Sequence, residues 1–117
     1  MTAETLDTLR RDMTAAILAA DKARADRERL RSDFVWAAIA IANHAADGET
    51  PDERRVTRYI VARATYAEAA TAAALADERR DRAIAAFVDA SNRAKGAEES
   101  ARIAANMGDE RRLQEGR

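Results

Sequence analysis

From Thr2 to Ala46 the chain contains neither glycine nor proline, and the same holds from Asp52 to Lys95. Those two residues are the strongest breakers of regular structure. Between the two uninterrupted stretches lies Asp47-Gly48-Glu49-Thr50-Pro51. A chain punctuated this way reads as two long elements and one corner.

The type of element follows from what fills the stretches. Of 117 residues, 31 are alanine and 18 are arginine. Alanine is the best helix former, and arginine and glutamate are good ones. Strand formers are sparse and nowhere alternate with polar residues over a strand's length. Leu, Ile, Val and Phe together number only 18, few enough to raise the question of disorder, but disorder also wants a high net charge and here it is -1. The fold class is all-α.

A 3-4 spacing runs through the first stretch: Leu6, Leu9, Met13, Ala16, Ala20, Ala23, Arg27, Leu30, Phe34, Ala37, Ile41, His44. This is a heptad seam, with Arg27 as its one bulky charged member. In the second stretch the apolar positions are Val56, Tyr59, Ile60, Ala64, Ala67, Ala70, Ala74, Leu75, Ile84, Phe87 and Val88. At the corner, Gly48 suits the left-handed position after a helix end. Thr50 fits as N-cap and Pro51 as first helical residue. Glu53 lies three past the cap, which completes a capping box.

These signals predict a helix over 2–46, a turn over 47–51 and a helix over 51–95. If the helices are antiparallel, facing residues have numbers totalling about 98. Large apolar residues then meet at both ends, and a charged waist (Asp21–Asp33 beside Asp77–Arg82) lies between. The expected fold is a long antiparallel helical hairpin, coiled-coil-like, that completes a four-helix bundle by dimerising. The alternative is a compact four-helix bundle monomer, broken within Asp21–Asp33 and near Asp77. Residues 1–95 form the hairpin, and 96–117 a short helix with a polar tail from Gly108. Burying alanine yields much less than the roughly 1.5–3 kcal/mol of a leucine or phenylalanine, which is why a second copy is expected.

Phe34–Ala42 is apolar on every side of a helix. Phe34, Ala37 and Ile41 face the seam, which leaves Val35, Trp36 and Ile39 pointing elsewhere. A helix apolar all round is a buried helix, and two helices cannot bury all of this one. Val35, Trp36 and Ile39, extended from the second helix by Tyr59, Val61 and Tyr66, form the expected protein interface. Trp and Tyr are typical interface anchors, and a homodimer is the commonest oligomer.

Arg24, Arg27 and Arg31 form a stripe which, with Arg55 and Arg58, is a candidate phosphate-contacting face. The mixed charge of the waist favours the simpler reading of a cross-paired or solvated surface, with Arg27 pairing Glu68 across the seam. His44, the one histidine, sits near a helix C-terminus, where a cation is favoured. It has no second histidine or cysteine for a metal site. There is no glycine-rich phosphate loop, and no serine has an evident histidine partner. No catalytic residue, metal or cofactor is expected. The start of the chain lacks a leader's basic and apolar regions, and the longest apolar run, Phe34–Ala42, is far short of the about 20 residues a membrane span needs. A cytoplasmic setting is expected.

Size and hairpin shape are similar to those of the small secreted helical hairpins whose turn carries Trp-x-Gly. Here the turn reads Asp47-Gly48-Glu49 and Trp36 lies inside the first helix, so no membership follows. The leading functional expectation is a non-enzymatic protein that works by self-association and protein contact. It would serve as an adaptor, assembly or accessory component of the kind phages and mobile elements encode. The alternatives are a small nucleic-acid-binding protein and a protein inhibitor of a host complex.

Overall fold

The computed structural model describes residues 2–115 and consists of two helices, α1 (Ala3–Ala46) and α2 (Glu53–Glu115). Together they make an all-α helical hairpin.

Each helix end has an identifiable cause. Thr2 caps α1, its Oγ1 accepting the Thr5 N–H at 3.3 Å. At the other end the Gly48 N–H donates to the Ala45 carbonyl and the Glu49 N–H to the His44 carbonyl, at 3.1 and 2.9 Å. This pair of bonds is the Schellman motif. It needs a left-handed residue, and Gly48 supplies it at φ +73°.

The start of α2 differs from the expected capping box. The cap is Asp52, whose Oδ1 accepts the Arg55 N–H at 2.8 Å. Thr50 and Pro51 lie outside the helix, and Glu53 is its first residue rather than its third. Aspartate caps at least as well as threonine. It also brings a full negative charge to the positive end of the helix dipole.

The second helix was expected to end at 95. It continues instead through Gly96 and Gly108 to Glu115, and residues 116–117 lie outside the described part. One interior glycine costs about 1 kcal/mol against alanine. That is too little to stop a helix flanked by Ala, Glu and Arg. The compact four-helix bundle is not formed, because α1 is unbroken over 21–33 and α2 is unbroken at 77. Pairs one turn apart support the intact waist, Arg29 with Asp26 at 3.6 Å and Arg31 with Glu28 at 3.8 Å.

Contacts divide the chain into two units, Thr14–Asp81 and Met1–Met13 with Arg82–Arg117. In Thr14–Asp81, Ala20 and Ala73 are completely buried and Ala37 nearly so. Phe34 lies against Tyr59 and Tyr66, which bracket the position expected to face it. In the other unit Ala90 is buried, and the Arg10 guanidinium sits 5.6 Å above the Phe87 ring.

Every residue of the expected α1 seam is buried or half-buried. On α2 the shielded stripe is Tyr59, Ala62, Tyr66, Ala69, Ala73, Ala76, Arg80, Ala83, Phe87, Ala90 and Ala94, again a 3-4 repeat. Several positions read as apolar contacts, namely Val56, Ile60, Ala64, Ala67, Ala74, Leu75 and Val88, are exposed instead. For Ala64, Ala67, Ala74 and Leu75 the reason is local. Between Ala62 and Ala76 alanine occupies every side of the helix, so hydrophobicity carries no phase there.

Among the described residues the fully shielded side chains are alanines, and no larger one is completely buried. At such a seam the two backbones lie close, and added volume has nowhere to go. Ala73→Leu is therefore expected to cost about 1–3 kcal/mol by overpacking. Ala74→Leu, one residue round the helix, should change stability by less than about 0.5 kcal/mol. Urea midpoints of the two variants check this.

The glycines give opposite signs. A Cβ at Gly96 meets nothing within 4 Å, so Gly96→Ala should gain about 0.5–1 kcal/mol of helix stability. Gly48→Ala forces a side chain into the left-handed region and should cost about 1–2 kcal/mol. Thermal melts followed by circular dichroism measure both.

Candidate interaction surface

The stretch before the corner is sorted by helical phase. Phe34 enters the seam, with ring centroids 5.6 Å from Tyr59 and 5.7 Å from Tyr66. The Tyr66 ring is parallel to it, within 1°. Ala37 and Ile41, three and seven residues on, follow Phe34 inward. Val35, Trp36 and Ile39 fall on the far side and are 42%, 69% and 40% exposed.

Tyr59 and Tyr66 therefore belong to the inner contact of the hairpin and do not extend the outward surface. Val61, expected beside them on the surface, is exposed, and so are Val56 and Ile60. Sequence reading missed Val56 and Ile60 as surface residues because it placed both in the seam. The heptad phase set by Tyr59, Ala62 and Tyr66 was the signal that separates them.

The apolar exposure has a magnitude. Fully covering a Val or Ile side chain stabilises by roughly 1.5–3 kcal/mol, and tryptophan offers a larger area. Val35, Trp36 and Ile39 together hold on the order of 5 kcal/mol in unburied surface. Clustered apolar exposure of this sort marks contact sites on soluble proteins.

The arginine stripe is differently occupied. Arg24 donates from Nε and Nη2 to Asp77 Oδ1 at 3.2 and 2.9 Å. Arg80 Nη1 is 3.3 Å from the same oxygen, and Arg80 also donates to Asp81. Arg27 and Arg31 both approach Glu28, at 3.7 and 3.8 Å. The expected Arg27–Glu68 pair is replaced by Arg24–Asp77 as the link between helices. Arg24 lies just beside the seam, where its side chain reaches across, and Glu28 draws Arg27 along its own helix. Arg55 and Arg58 sit in the first turns of α2, and Arg58 shares a groove with Leu30 and Asp33. Among the described residues neither forms an ion pair.

His44 Nδ1 is buried and lies 3.1 Å from Glu49 Oε2, without hydrogen-bond alignment. Its backbone carbonyl is an acceptor of the Schellman motif, so the residue is part of the corner. Among the described residues no three His, Cys, Asp or Glu side chains are grouped to hold a metal ion. None of the described helices is long and apolar enough to cross a membrane.

Neither a protein-family model, nor a curated protein, nor a solved structure matches the chain.

The two sides of this helix segment should respond differently to substitution. Phe34→Leu removes both ring contacts, each worth about 0.5–1.5 kcal/mol, and should cost about 1–2 kcal/mol in total. Trp36→Ala, in dilute protein, should cost less than about 0.5 kcal/mol. Equilibrium denaturation at low concentration distinguishes them.

Proposed function

We propose that this chain is a non-catalytic helical hairpin that acts through protein–protein contact, with self-association as its primary form. The contact is made by the surface of Val35, Trp36 and Ile39. The observation that carries this reading is Trp36. The largest side chain in the protein is 69% exposed in a helix whose seam is already filled by Phe34, Ala37 and Ile41. Leaving it in water forfeits stability that a second hairpin would recover by completing a four-helix arrangement. An adaptor, assembly or accessory role in the cytoplasm, of the sort phages and mobile elements encode, fits such a contact protein.

Nucleic-acid binding finds less support. The net charge is -1, and Arg24, Arg27 and Arg31 lie beside carboxylates. Phosphate binding depends on uncompensated positive charge.

The chain has one tryptophan, so its fluorescence reports this surface alone. Sedimentation equilibrium and Trp36 emission are to be followed together over a concentration series. The expected outcome is a rise in mass with a parallel blue shift and loss of acrylamide quenching. Trp36→Ala should lower the mass at a given concentration. A Trp36 that stays water-exposed while the mass rises, or a monomer at all concentrations, would contradict the reading.

A further inference from the structure

Within the unit Thr14–Asp81, one side of the hairpin carries a groove along the seam. Two adjoining clefts share Leu30 and Thr65, so the groove is continuous. Arg29 and Glu68 stand on its opposite walls toward the waist, and Asp33, Arg58 and Val61 line it toward the corner. The Thr65 hydroxyl donates to the Val61 carbonyl at 2.8 Å, so it makes no polar demand on an occupant. Val61 is more than half exposed. Helical phase brings Trp36 to the same side. It follows Arg29 by seven residues, just as Glu68 follows Val61 by seven. Seven residues are close to two helical turns, so each pair shares one line along its helix. Val35 and Ile39 fall on other lines of α1, which leaves Trp36 as the outward residue beside the groove.

The ring stack fixes the levels. Phe34 lies between Tyr59 and Tyr66. Trp36, two residues nearer the corner, is therefore level with Val61. Arg29, five residues the other way, is level with Glu68. A second hairpin laid on this side, about a twofold axis along the hairpin's length, keeps every level and sets α1 beside α2 of the other copy. Trp36 then meets Val61 of the second copy, and Arg29 meets Glu68 of the second copy. Symmetry repeats both contacts. All four residues stand on the two walls of one groove, so the apolar and the charged contact form on a single face. That face carries three acids, Asp26, Asp33 and Glu68, against three arginines, Arg29, Arg54 and Arg58, and so does not repel its own copy. Among the described residues Glu68 forms no ion pair within its hairpin, and Arg29 has Asp26 at 3.6 Å. Arg58 stands one turn from Val61, where its guanidinium reaches the face of an incoming indole. Charges flanking an apolar contact select partner and orientation in helix pairs, and a twofold contact is the ordinary form of a homodimer.

We infer that Trp36 of each copy seats in the groove of the other, against Val61 and Arg58, and that the Arg29–Glu68 pairs between copies fix the orientation with both corners at one end. This names the site that receives Trp36, and it rests on the proposed function in taking a second copy as what covers that residue.

The test follows mass by sedimentation equilibrium and Trp36 emission in the full-length protein at low salt. Val61→Asp should weaken association about tenfold or more and leave Trp36 in water where the unaltered protein shields it. Ile60→Asp, at a similarly exposed neighbour off the groove, should change neither. Arg29→Glu and Glu68→Arg each set like charges together between copies and should each weaken association about tenfold. Mixed in equal amounts, these two variants restore both opposite-charge pairs between copies and should associate as tightly as the unaltered protein. A pair within one chain gives no such recovery, and recovery also shows that both variants are folded. Association that shields Trp36 yet is unchanged by Val61→Asp and by both reversals overturns this inference and leaves the proposed function standing. A mixture no heavier than its components does the same. A Trp36 that stays in water at every concentration overturns both.

Discussion

The seam between the helices is built from alanine, and the rest of the structure follows from it. Ala20 and Ala73 are sealed from solvent, while among the described residues no larger side chain is. Small side chains let two helices approach closely and offer little area to bury. Each layer therefore contributes a fraction of what a leucine layer would. The hairpin compensates with length and with contacts at the edges of the seam. It also leaves its large apolar residues, Leu18, Trp36, Ile60, Val61 and Leu75 among them, outside. Surplus apolar surface is thus a consequence of how the helices meet.

Edge contacts divide by location. Near the corner, Phe34, Tyr59 and Tyr66 fill the space between the helices with stacked rings. In the waist, Arg24 crosses to Asp77, which Arg80 also approaches. Arg24 and Asp77 are each roughly one-third exposed or more, and pairs in that setting contribute on the order of 0.5 kcal/mol, less in salt. Their greater effect is on register. The Arg24–Asp77 link and the ring stack hold one alignment in a seam whose alanines are otherwise interchangeable. With alignment set in this way, the residues turned away from the seam are fixed as well.

Much of this was legible in the residues. The seam of α1 could be read position by position, because Leu6, Leu9, Met13, Leu30, Phe34 and Ile41 mark its phase. Gly48 announced the left-handed helix end. The phase of α2 was not legible through Ala62–Ala76, where alanine stands on all sides. That gap put Leu75 in the wrong place. The cap was misread because Thr50 and Asp52 are both good caps two residues apart, and only the path of the chain chooses between them. Of the candidate surface, Val35, Trp36 and Ile39 followed from their spacing against Phe34. Tyr59 and Tyr66 did not, since an aromatic residue serves a seam and a surface equally well.

By itself the sequence determined that the protein is two long helices joined at Gly48, because alanine-rich stretches without glycine or proline have no competing local structure. It also determined which side of α1 turns inward, since bulky residues at heptad spacing leave one choice. Only the tertiary structure decided the phase of α2 against it. The same holds for which arginine bridges the helices and for how far α2 continues past the start of α1. Those depend on side chains meeting across the seam and on the free energy of the whole helix. There a glycine at 96 or 108 weighs about 1 kcal/mol against many favourable residues. A local stop signal is decisive only when the rest of the helix is too weak to carry it.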